Sequence, residues 1–373
     1  MSSYSHRERV LAVLRHEEPD RIPLDMMGNA TMLFDKTYLR LRDYLGFSEI
    51  PPVRSGTTTN YYDERILDYF DIDFRRVFLK KKQSDEPSAE HYGASVDPWG
   101  VHYKLAGLYM NFLNHPLENA RTVKDIENYA WPKAEDVFTA RHLADTAQRS
   151  YEETDYAIVA RNPLSLGFMD RACQLMGMEE FMLCMMTAPE VAESLLQQLL
   201  IFYMDAYSIF LDAVGPYVQI VETADDLGSQ DALLISPELY RKFLKPLEKQ
   251  FYESIRRKAP NAFMFRHSDG AIFEIIPDFI EVGVDILNPV QTSAKGMRDR
   301  RLKNAFGRNI TFHGSIEKMG DSVDELLTEV RDRIDAFAPG GGYIFAPCNH
   351  MIDVKPQNVV AMFETGRKYG RYS

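Results

Sequence analysis

Eight short apolar runs, separated by stretches of helical spacing, constrain this chain more than any other feature. They lie at 22–26, 73–79, 155–161, 217–222, 261–267, 284–288, 310–313 and 343–348. Runs such as Tyr343-Ile344-Phe345-Ala346 show no polar alternation, which is the pattern of strands covered on both faces. The intervening stretches predict helices over 5–15, 32–45, 64–70, 122–129, 134–151, a long region ending at 210, 272–280, 297–305, 323–337 and 356–368. Strands alternating with helices pair in parallel. Eight such repeats close into a (β/α)8 barrel, and an open doubly wound sheet is the alternative. The expected fold class is therefore α/β, a (β/α)8 TIM barrel forming one domain over 1–373. The polar stretch 80–107, with the turn Asp97-Pro98-Trp99-Gly100, reads as an N-terminal excursion that caps it.

In such a barrel the residues just past each strand converge on one mouth, where chemistry is done. The fourth run delivers Glu222, Asp225 and Asp226. The fifth delivers His267 and Asp269, in the segment Phe265-Arg266-His267-Ser268-Asp269-Gly270. The sixth delivers Asn288 and Gln291, the seventh His313, and the eighth Cys348, Asn349 and His350. The first run ends at Met26-Met27-Gly28-Asn29. Polar side chains are costly inside a protein unless paired, so this many at one mouth point to a site. Cysteine, histidine and carboxylates drawn from different strands suit zinc, with the active site at the C-terminal mouth. Each also has a plain structural reading. Cys348 can be a small buried hydrophobe, and Asp225-Asp226-Leu227-Gly228 can be a turn and helix cap. Cys173 and Cys184 sit in Met-rich helical sequence and read as core. Gly340-Gly341-Gly342 is followed by no phosphate-binding signature.

Composition narrows the partners. A net charge of -12, from 55 acidic against 43 basic residues, argues against a nucleic-acid binder. Three cysteines make no disulfide framework and suggest a reducing compartment. The N-terminal residues lack an apolar signal core. The most apolar helical stretch, 199–214, contains Asp205 and Asp212, so no membrane span is expected. The expectation is a cytoplasmic enzyme of small molecules, with a homodimer allowed.

Several motifs in order resemble the uroporphyrinogen decarboxylase superfamily. They are His6-Arg7-Glu8-Arg9-Val10 with Glu18-Pro19-Asp20-Arg21-Ile22-Pro23, then Asp225-Asp226-Leu227-Gly228 and Ser236-Pro237-Glu238-Leu239-Tyr240. His267-Ser268-Asp269-Gly270, Gly283-Val284-Asp285-Ile286-Leu287-Asn288-Pro289 and Phe312-His313-Gly314 complete the series. True decarboxylases of haem biosynthesis carry Met-Arg-Gln-Ala-Gly-Arg at the first strand end. This chain has Met26-Met27-Gly28-Asn29-Ala30-Thr31, without those arginines. The resemblance is then to the corrinoid-dependent methyltransferase branch, whose members bind zinc through His-x-Cys and a later Cys. His267 matches the histidine, Cys348 the later cysteine, and Asp269 stands where the first cysteine belongs. Glu222 is a candidate fourth ligand from its strand-end position.

What the resemblance implies is methyl transfer between a small-molecule donor and the cobalt of a corrinoid. An aryl or alkyl methyl ether is the donor favoured, as in O-demethylation. Zinc (Zn2+) would act as Lewis acid. The chain lacks an Asp-x-His-x-x-Gly cobalt-ligating segment, so a separate corrinoid protein is the expected partner. Asp225, Asp226 and His313 are the candidate catalytic residues, and Asn29, Gln291 and His350 the candidate substrate contacts. The alternative is a metal-independent, decarboxylase-like lyase in which Asp225 or Asp226 protonates a carbanion.

Overall fold

The computed structural model describes residues 4–28, 31–49, 62–82, 95–106 and 109–372. Seven barrel strands run in parallel and pair in sequence order. They are β1 (Phe74–Val77), β2 (Ala157–Ala160), β3 (Ile220–Ala224), β4 (Phe263–His267), β5 (Ile286–Asn288), β6 (Thr311–Ile316) and β7 (Tyr343–Pro347). Every residue of β2, β5, β6 and β7 is buried, as continuous apolar runs under helices require.

The first run, 22–26, closes the ring without forming a regular ladder. Phe345 donates its N–H to Pro23 O at 2.9 Å, and Asp25 donates to Phe345 O at 2.9 Å. On the other flank Asp73 donates to Leu24 O at 3.0 Å. Pro23 has no N–H to give, which limits the pairing to an isolated Leu24–Phe345 bridge. The barrel expected from eight runs is the fold observed.

Helix His6–Leu14 plugs the N-terminal end of the barrel. Ser5 and Glu8 form a reciprocal capping box that fixes where it starts. Val10, Val13 and Leu14 pack on Phe74, Ala157, Val159, Ile220, Phe265, Ile286 and Ile344, which point into the barrel. Burying each aliphatic side chain contributes roughly 1.5–3 kcal/mol. Arg9 and Arg21 both pair with the fully buried Asp73, at 2.6 and 2.7 Å, tying the plug to the closing run and β1. Ser5→Ala should lower stability by about 1 kcal/mol in urea unfolding, because one orphan helix N–H loses its acceptor.

Three sequence expectations are corrected in detail. The helix expected over 134–151 is broken into Ala134–Val137 and Leu143–Glu153, with Phe138–Thr139 pairing antiparallel to Lys80–Lys81 between them. His142 at φ 62 starts the second piece. The long helical region is three helices, Phe168–Met176, Met178–Thr187 and Pro189–Val214. Gly177, at φ +94, and Pro189 mark the breaks. The excursion is more regular than its polarity suggests. It holds an antiparallel sheet of Ser95–Val96, His102–Ala106 and Tyr109–Phe112.

Helix Pro189–Val214 is long and apolar enough to cross a membrane by length and composition. Its Val191, Leu195, Leu199, Tyr203, Phe210 and Val214 are instead buried in the protein core, among neighbours that include helix Lys245–Lys258.

Candidate metal centre at the barrel mouth

The parallel register of β3 and β4 sets Ala224 opposite His267. The turns that follow therefore lie side by side, and they bring Asp226 to His267 and Asp269. One ligand atom from each of these three lies within 4.8 Å of the others. His267 Nε2 is 3.5 Å from Asp226 Oδ1 and 3.5 Å from Asp269 Oδ2. The Asp269 N–H donates to Asp226 Oδ1 at 3.0 Å and locks the two turns together. Asp269 Oδ1 is buried with no hydrogen-bond partner among the described residues.

Two carboxylates beside an imidazole, one oxygen buried and orphaned, form a costly arrangement without a cation. Burial pulls the His267 imidazole down, but its contact with Asp269 and the charge of Asp226 raise it to about 9. The metal-free site thus holds a proton where a cation would sit. Two oxygens and one imidazole nitrogen fit zinc or another borderline divalent ion.

His267 is oriented from behind. Its Nδ1 lies 2.7 Å from Asn288 Oδ1, which turns Nε2 toward the two carboxylates. Asn288 Nδ2 lies 2.8 Å from His313 Nδ1, and His313 Nε2 lies 3.0 Å from Asp25 Oδ2. Arg76 grips Asp25 with two bonds of 2.9 and 2.6 Å.

Glu222, expected as the fourth metal ligand, does not join this cluster. Its Oε1 accepts from Arg76 at 3.1 Å and its Oε2 from Arg161 at 2.7 Å, all within the protein. Cys348 is fully buried and its thiol is not part of the three-residue cluster. Burial, then the charges of Glu317 and Asp269, push that thiol well above its ordinary range.

Asp225, expected to be catalytic, instead anchors backbone. Its carboxyl accepts from Met169 N–H at 3.0 Å and Asp170 N–H at 3.2 Å, at the N-terminus of helix Phe168–Met176. A Cβ at Gly167 would lie 2.2 Å from Asp225, so only glycine lets that helix end approach. Burial and the neighbouring Asp170 hold Asp225 well above the usual carboxylate range. Burial and then Asp226 raise Asp170 to about 6.

His313, the other candidate for catalysis, is 1% exposed and faces Asn288 and Asp25 rather than the open mouth. Gln291 joins loops, accepting from Gly270 N–H at 3.1 Å and donating to Gln230 at 2.9 Å. His350 accepts from Met32 N–H at 3.3 Å and meets Phe34 edge-on. Burial and the His267 charge lower it to about 4. Asn29 lies outside the described residues.

Sequence reasoning gave no role to Asp25, Arg76, Arg161 or Asp170. The signal was there for Arg76 and Arg161, which are charged residues within or at the end of runs otherwise read as buried strand.

No curated protein matches the sequence. In solved structures, a methyltransferase from Methanosarcina mazei aligns over 98% of this chain and 99% of its own, with 17% identity and a TM-score of 0.67. That likeness is one of fold. The native xylanase 10B of Thermotoga maritima aligns over 62% of this chain and 81% of its own, at 13% identity and a TM-score of 0.38. The family model for uroporphyrinogen decarboxylase (URO-D) matches residues 114–369, a span that takes in β2 to β7 and Asp226, His267 and Asp269. The chain belongs to the uroporphyrinogen decarboxylase family.

Proposed function

We propose that this chain is a zinc-dependent methyltransferase of the corrinoid-dependent branch. It moves a methyl group between a small-molecule donor, an aryl or alkyl methyl ether, and the cobalt of a corrinoid carried by a separate protein in the cytoplasm. The observation that carries this reading is the cluster of Asp226, His267 and Asp269 at the C-terminal ends of β3 and β4, with Asp269 Oδ1 buried and without a hydrogen-bond partner among the described residues. The shared fold with a methyltransferase across nearly the whole chain supports it.

These three side chains would hold the ion. Bound there, zinc would supply Lewis-acid stabilisation of negative charge on the heteroatom that loses the methyl group. The protein's own work is positioning. Asn288 directs His267, and the Asp269 N–H fixes Asp226. His350, kept uncharged by burial, and Gln291 would meet the organic part of the substrate. The lyase alternative has less support, because Asp225 is held against two backbone N–H groups and Asp226 by another.

Metal analysis and a methyl-transfer assay test the proposal together. The purified protein should contain about one zinc per chain, as a single cluster implies. It should methylate added cob(I)alamin from a member of a panel of methoxylated aromatics, and lose that activity on chelation. Transfer at the same rate after zinc removal would end the proposal. Cys348→Ala should keep its metal, whereas a metal-free Cys348→Ala protein would return the cysteine to the ligand set.

A further inference from the structure

We infer that Asp25, His313 and Asn288 form a one-way hydrogen-bond chain whose job is to keep the His267 Nε2 lone pair turned to the metal position. This rests on the reading of Asp226, His267 and Asp269 as the metal cluster. All three residues are buried, with exposures of 1%, 1% and 0%. Direct side-chain hydrogen bonds of 2.7–3.0 Å link every member of the chain.

The direction of each bond follows from the one before. Arg76 places two N–H groups on Asp25, which fixes it as a carboxylate with acceptors only. His313 Nε2, 3.0 Å from Asp25 Oδ2, must then donate. Asn288 presents Nδ2 to His313 Nδ1 at 2.8 Å, and an amide nitrogen only donates, so Nδ1 accepts. His313 therefore carries its proton on Nε2. The other end of the same amide is Oδ1, 2.7 Å from His267 Nδ1, and an amide oxygen only accepts. His267 Nδ1 must donate, and Nε2 is the nitrogen free to bind a cation. Reversing any member reverses all of them. A donor at position 25 would strip the proton from His313 Nε2 and place one on Nδ1. Asn288 would then turn over, its nitrogen facing His267 Nδ1, and the proton would move to His267 Nε2.

These are positioning residues, since none touches the cluster's open face. The sequence reading of His313 as a catalytic group is replaced by this role. The device gives a role to a buried histidine inside β6 and a buried carboxylate in the closing run: Asp25 and His267 are joined through a single amide and a single ring.

The test reads ring protonation and metal affinity separately. In histidine-labelled, metal-free wild-type protein, 15N NMR should show His313 with Nε2–H and a bare Nδ1. Asp25→Asn should switch His313 to Nδ1–H and weaken zinc binding roughly 10–100-fold. Asn288→Leu should weaken zinc to a similar extent, and Asn288→Asp, which keeps an acceptor for His267, should restore most of it. These variants need calorimetric confirmation that they fold. A wild-type His313 carrying Nδ1–H, or Asn288→Leu with unchanged zinc affinity, overturns the inference. If the wild type binds no zinc at all, the functional reading fails, while the His313 signal still decides the direction of the chain.

Discussion

On the proposed function, His267→Ala should bind no zinc and its methyl transfer should fall roughly a thousandfold or more, since several kcal/mol of charge stabilisation would leave with the ion. The same residue gives the metal-free protein a distinctive pH response. Its imidazole is raised from 6.5 in the unfolded chain to about 9 in the folded one. A raised pKa means the folded state holds the proton more tightly. The stabilisation is fully present below pH 6.5 and is lost as pH rises through about 9. Its size is roughly 3 kcal/mol. A cation in the proposed site would compete for the same nitrogen, so apparent zinc affinity should climb with pH up to about 9, and binding at pH 7 should release a proton. Calorimetry in two buffers of different ionisation enthalpy measures that release. His267→Ala that retains stoichiometric zinc, or binding with no proton released at pH 7, would contradict this account.

Glu222→Leu is the second large effect, and it concerns folding rather than metal. Glu222 is fully buried between Arg76 and Arg161. Its loss removes the carboxylate that sits between two buried guanidinium groups, Arg76 keeping its pairing to Asp25. Breaking a buried pair from one side costs about 3–5 kcal/mol. Urea unfolding should show that loss, while the surviving folded protein should bind zinc as the wild type does, on the proposed function. A variant of normal stability that has lost its zinc would make Glu222 a ligand after all.

The sequence by itself determined the barrel. Eight apolar runs with helices between them fix the parallel sheet, because a strand buried on both faces cannot carry polar alternation. It also marked which loops are the candidates for chemistry, since strand ends are visible wherever an apolar run stops at His, Asp or Asn. His267 and Asp269, expected as metal ligands, and Asp226, expected as a catalytic group, all stand at such ends, and the structure brings the three together. The tertiary structure alone decided which of these groups meet. Glu222 lies at a strand end like the others, yet Arg76 and Arg161 come from β1 and the end of β2, far off in sequence, and claim both its oxygens. Asp225 and Asp226 are neighbours in the chain with opposite fates. The first turns to a helix N-terminus that Gly167 lets approach, and the second turns to His267. Register decided this: with Ala224 opposite His267, the turns after β3 and β4 are adjacent, and Cys348 beyond β7 does not join their cluster. Local sequence sets what a residue can offer, and the lateral order of strands sets which partner reaches it first.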